Sequence, residues 1–89
     1  MLQFRWNDWN LEHATQHGVR PEEAEAVVET AQPPFPQQLG DDKLLVIGRG
    51  IVGRFVQVIY LLDEDGAVYI IHAMPLNDRQ KKRLRRRLR

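Results

Sequence analysis

There is no cysteine among the 89 residues of this chain. That excludes a disulfide framework and any thiolate metal site. No apolar run approaches the ~20 residues that a helix needs to cross a bilayer. The opening residues MLQFRW lack a basic segment followed by a long apolar stretch, so no signal peptide is expected, no membrane contact is implied, and the cytoplasm is the default location. A third absence is local. Residues 79–89 contain no acid, and eight of these eleven are Lys or Arg. Residues 1–78 hold all twelve acids against five Lys or Arg, a balance of −7 that the overall charge of +1 conceals. Such asymmetry points to a phosphate-bearing partner, or to an acidic surface in this chain or another.

What is present suits one soluble domain spanning 1–89, with 79–89 as a basic C-terminal helix. Hydrophobic residues make up 43% and charged residues 28%. A chain this short buries only about 60–65% of its unfolded surface, so its apolar residues must serve a single core. Leu2, Phe4 and Trp6 alternate with period two and predict a short first strand. Asn7 or Asp8 then caps a short helix that Gly18 ends, with Leu11, Ala14 and Trp9 toward its buried side. In a second helix Pro21 takes the first position, and Glu22 and Glu23 face the positive end of the dipole. Ala24, Val27, Val28 and Ala31 form its apolar stripe, and Glu22, Glu25 and Glu29 its outer side. Pro33, Pro34 and Pro36 stop it.

Three strands follow: KLLVIGRG, RFVQVIYLLD and AVYIIHAM. The middle one is apolar on nearly both faces and reads as central. DEDG at 63–66 is a hairpin turn. Strict alternation puts Val68, Ile70, His72 and Met74 on one face of the last strand. After Pro75, Asn77 and Gln80 have capping-box spacing, and Leu84 and Leu88 form the only apolar seam of the final helix. The expected fold class is α+β, in the order β-αα-βββ-α, with helices packed on a small antiparallel sheet.

Few residues carry chemistry. His13 and His17 share a helix face and His72 is a third imidazole, but Glu12 precedes the first histidine where HExxH needs it to follow. No carboxylate completes a metal site, so none is expected, and a packed or solvated His13 is the plainer reading. His72 has the pKa range for proton transfer at an RNA 2′-hydroxyl. A strand histidine that only hydrogen-bonds explains the same residue, and on residues alone that explanation weighs more. GRGIVGR lacks the GK[ST] ending of a phosphate loop and reads as a hairpin loop, flanked by Arg49 and Arg54, which either reach phosphate or stay solvated. The basic run is the clearest signal. A cluster of eight cations supports salt-sensitive nucleic-acid binding through counterion release, and nothing in it encodes base reading.

FRWNDWNLEHATQHGVRPEEAEAVV, a three-strand meander and IIHAMPLNDRQKKRLRRR together resemble the BrnT family of bacterial toxins, over residues 4–86. The resemblance implies a RelE-like fold and the toxin of a type II toxin–antitoxin system. Such a toxin cleaves RNA without metal or other cofactor and blocks translation. It also implies a ribbon-helix-helix antitoxin as partner, with operator DNA bound only by the toxin–antitoxin complex. His17-Gly18-Val19 matches the family well. Elsewhere the chain departs from it. Trp9 stands where a Lys is usual, and His13 where an Asn is. His72-Ala73-Met74 replaces Ser-Ala-Arg, Asn77 replaces Thr, Gln80-Lys81 replaces Glu-Arg, and Leu84 replaces Tyr. Met74 neither donates a hydrogen bond nor carries the charge that stabilises a pentacoordinate phosphorus. Two expectations follow. In one, His72, His17 and Arg54 are catalytic, and Arg49, Arg79, Lys82, Arg83 and Arg86 bind RNA. In the other, the chain is a catalytically degenerate module that binds nucleic acid or an antitoxin-like partner.

Overall fold

A computed structural model describes residues 2–87. Helix α1 (Asp8–Thr15) opens on a capping box in which the side chains of Asn7 and Asn10 each accept from the other's backbone N–H. Gly18, at φ 81°, turns the chain into α2 (Pro21–Glu29), where proline fills the first turn as expected. Four strands follow: β1 (Gln37–Leu39), β2 (Lys43–Arg49), β3 (Phe55–Leu62) and β4 (Val68–Pro75). They form one antiparallel sheet in chain order, with β3 inside it as predicted. The β3–β4 turn closes through Gly66 N–H donating to Asp63 O. Helix α3 (Asp78–Arg87) is the last described element. Asn77 and Gln80 make the predicted capping box at its start. Leu88, expected to share its seam, lies outside the described residues.

The class is α+β, with the helices and strands in the order αα-ββββ-α. Two elements differ from expectation. The predicted strand at residues 2–6 contracts to a single parallel bridge, Phe4 to Val68. Arg5 N–H donates to Val68 O, and Val68 N–H donates to Gln3 O. The chain then leaves the ladder, because Trp6 turns away to donate to Glu25 and Asn7 must cap α1. In exchange there is an unpredicted β1, whose Gln-Gln-Leu has no apolar alternation. It forms because Gly40, at φ 69°, reverses the chain and sets Gln37 opposite Leu45.

One irregularity matters for the site. Pairing steps from Ile59 opposite His72 to Tyr60 opposite Ile70, so Ile71 is an extra residue in β4. The bulge inverts the alternation. Val68 and Ile70 share their face with Ala73, whereas His72 and Met74 pair with Ile59 and Gln57 on the opposite face. The expectation that Val68, Ile70, His72 and Met74 share one face is therefore corrected.

Val46, Val56, Val58, Ile70 and Ala73 on one face of the sheet meet Ala14, Val19, Ala24, Val27 and Val28 from α1 and α2. Each fully buried valine or isoleucine contributes roughly 1.5–3 kcal/mol. A Cβ at Gly48 would meet Val27 at an ordinary van der Waals distance, 3.9 Å. The other face is covered differently. There α3 buries Leu84, with Leu76 just before it, over Leu45 and Ile47. The Leu76 N–H donates to Phe55 O and seats the connector.

Candidate functional site

The residues singled out in the sequence divide into three groups. The first is a histidine pair. His17 sits in the turn after α1, and the bulge in β4 aims His72 at it. Their ring centroids lie 5.5 Å apart, edge to face at 67°. His17 is exposed and His72 half-buried. Burial, and secondly the charge of His17, hold His72 below the usual imidazole range. Gln57 Nε2 lies 3.3 Å from His72 Nε2. An amide nitrogen only donates, so this long contact favours the neutral tautomer with its proton on Nδ1.

His13 does not join them. Its Nδ1–H donates to Trp9 O at 2.7 Å, and its ring stacks on the Trp9 indole, 3.9 Å away at 16°. His13 is thus engaged with its own helix rather than with the other two imidazoles. Among the described residues no three His, Asp or Glu side chains form a cluster that could hold a metal ion.

The second group is α3. Arg79, Lys82, Arg83 and Arg86 follow one another at i, i+3, i+4 and i+7, so they line one flank of the helix, and all are exposed. Arg83 and Arg87 border a cavity of about 170 Å³ between α3 and the sheet. Gln57 lies in its floor, the same Gln57 that touches His72. Gln57 thus links the cavity beside the basic helix to the histidine pair.

The third group is the pair of arginines around the glycine loop. Arg54 was to hold phosphate. Its Nε donates to Glu23 Oε2 at 2.8 Å, one Nη to Glu23 Oε1 at 2.9 Å, and the same Nη to Gly18 O at 2.9 Å. Glu23 is only 2% exposed. The bidentate pair raises the already high Arg54 pKa, chiefly through the hydrogen bonds. With Nε and one Nη committed to a buried carboxylate and a carbonyl, Arg54 locks the β2–β3 loop onto the α1–α2 junction, and only the other Nη of its half-exposed side chain is left to face a phosphate. Gly50 makes the lock possible, since a Cβ there would come within 2.9 Å of Glu23 Cγ. Arg49 lies over the Phe55 ring at 4.6 Å and stays exposed.

No family model, no curated protein and no solved structure matches this chain. The function rests on the geometry and on the residues themselves.

Sequence reasoning missed two buried polar residues that hold this arrangement, Glu23 and Asn10. Asn10, fully buried, donates to Arg5 O and to Ile70 O. It thereby ties α1 to the outer edge of β4, beside the bulge that turns His72. Neither carries a local signal: Glu23 resembles any acid in a first helical turn, and Asn10 any polar residue near a cap.

Proposed function

We propose that the protein is a metal-independent RNA endonuclease of the BrnT-like toxin type, working in the bacterial cytoplasm. The observation that carries the reading is the His17–His72 pair, 5.5 Å between centroids, beside a helix with an exposed cationic flank. His72 is the base. Its lowered pKa keeps it neutral near pH 7, and the long Gln57 contact yields to a substrate hydroxyl. It takes the proton from a 2′-hydroxyl as the 2′-oxygen attacks phosphorus. His17, protonated, gives its proton to the 5′-oxygen as the P–O5′ bond breaks. The products are a 2′,3′-cyclic phosphate and a 5′-hydroxyl, so protons and bonds balance without a metal. Cations of α3 hold the phosphates of the strand. A ribbon-helix-helix antitoxin, and operator DNA bound through the complex, are the partners this reading carries.

The test is purified protein on a defined RNA, with end-group analysis of the fragments. Cyclic-phosphate ends are expected, and His72→Ala is expected to slow cleavage about 10²–10⁴-fold. Intact RNA with the unmodified protein sinks the nuclease reading.

A second reading has its own support. Arg54 is committed to Glu23 and Gly18, and Met74 beside the pair brings no charge. On that reading the domain binds RNA or an antitoxin-like partner and does not cleave. Oligonucleotide binding that persists with no fragments formed identifies it.

A further inference from the structure

Helix α1 presents more than a histidine to the site. Trp9 is 52% exposed, unusual for the largest apolar side chain in a domain that must conserve its core residues. It is not isolated. Tyr69 lies 6.4 Å away at 23°, and His13 stacks on the indole from one helical turn further on. Arg5 lies over the Tyr69 ring at 4.3 Å. Tyr69 O–H donates to Asn7 Oδ1, which fixes its ring against α1. Four planar groups thus form a row, braced by hydrogen bonds at Tyr69 and His13, on the side of α1 that continues one turn later to His17 and the pair with His72.

Charge tells what this row can take. Arg5 is already paired with Asp63 at 2.6 Å, and Asp8 precedes Trp9 while Glu12 follows it three residues on. His13 covers one face of the indole and Arg5 one face of Tyr69, so the row offers the remaining exposed aromatic surface of Trp9, without net positive charge, and phosphates are disfavoured on it. Cationic density lies instead on α3, across the His72–Gln57 surface. A ligand that fits both has a planar uncharged part and a polyanionic part a short distance along. A nucleic-acid strand with an unstacked base has both, and a duplex, whose base faces are already occupied, lacks the first.

We propose that Tyr69, Trp9 and His13 form a stacking platform for an unpaired base of single-stranded RNA, next to the nucleotide addressed by His17 and His72. The proposal rests on the RNA reading above and names the form of the substrate. Trp9 is then a specificity residue that selects single strands and sets how the strand lies at the histidines.

The experiment uses the full chain and a labelled 2′-O-methyl oligonucleotide of about ten nucleotides, which cannot undergo 2′-hydroxyl attack, single-stranded or annealed to its complement. Affinity is read by fluorescence anisotropy. Trp9→Ala is expected to weaken single-strand binding about 5- to 150-fold. Trp9→Phe keeps most of it, and duplex affinity does not move. The double variant Lys82→Glu/Arg86→Glu weakens both forms. An unchanged thermal midpoint establishes that the exposed Trp9 variants are folded. Four outcomes overturn the platform. If Trp9→Ala leaves single-strand affinity intact while the α3 variant loses it, the platform fails and the RNA reading stands. An equal loss on duplex assigns Trp9 to another role, and a tryptophan serving a protein contact leaves both affinities unmoved. If the unmodified protein binds neither form, the RNA reading and the platform fall together.

Discussion

Valines fill one face of the sheet, whereas the other carries Gln57, His72 and Met74, with Gln57 beside a helix in which only Leu84 is buried. On the first face, α1 and α2 seal Val46, Val56 and Val58 completely. On the second, α3 combines one buried leucine with exposed cations, and its approach leaves a cavity lined partly by Gln80, Arg83 and Arg87. Stability therefore resides on one side of the sheet and polar chemistry on the other. The β4 bulge separates them, because without it His72 would lie in the valine core.

Substitutions can break that division, and the largest effect belongs to the packed face. Val58→Asp places an unpaired carboxylate in the core and is expected to cost 4 kcal/mol or more, about the whole stability of a small domain. Loss of the cooperative thermal transition in circular dichroism checks it. Leu84→Ala acts on the open face and is expected to cost about 2–3 kcal/mol, the low end for a buried leucine, Leu84 being the one buried residue of α3 among the described residues. Its signature is faster amide exchange in α3 while β2 and β3 stay protected.

Arg54→Ala strands the buried Glu23 carboxylate. Loss of a fully buried partner costs about 3–5 kcal/mol, and the half-exposed guanidinium reduces this to about 2 kcal/mol. Urea denaturation measures the loss, and Glu23→Gln/Arg54→Ala is expected to recover part of it. Last, Lys82→Glu and Arg86→Glu, on the exposed flank, are expected to shift stability by no more than about 0.5 kcal/mol. On the proposed RNA reading, their effect is expected in salt-dependent nucleic-acid binding.

Acid sharpens the same comparison. The fold favours neutral His72, so below the ordinary imidazole value of 6.5 the unfolded chain binds the proton more readily. This contribution is complete above that value and is lost as pH falls through the lower folded pKa. Denaturation of the unmodified protein and His72→Gln between pH 7 and 5 is expected to show a steeper acid loss in the former. His17→Ala removes the neighbouring charge and is expected to raise the His72 pKa, as followed by NMR titration, while burial still holds it below 6.5.

The α2 stripe, the central place of β3, the turn at 63–66 and the capping box at Asn77 were all legible, because each is fixed by residues a few positions apart. The basic flank of α3 was legible for the same reason. The proximity of His17 and His72 was not: their separation depends on a turn, a bulge and the packing of α1 on the edge of β4. The partner of Arg54 was not legible because an arginine in a glycine loop looks solvated until the carboxylate that binds it, 31 residues earlier, is located in space.

By itself the sequence determined the periodicities, the caps and the segregation of charge, since these act through neighbours along the chain. Only the tertiary structure decided which face His72 takes, what Arg54 holds, and that Trp9 lies beside Tyr69. One extra residue in a strand inverts every side chain beyond it, and ion pairs and ring contacts depend on distance through space.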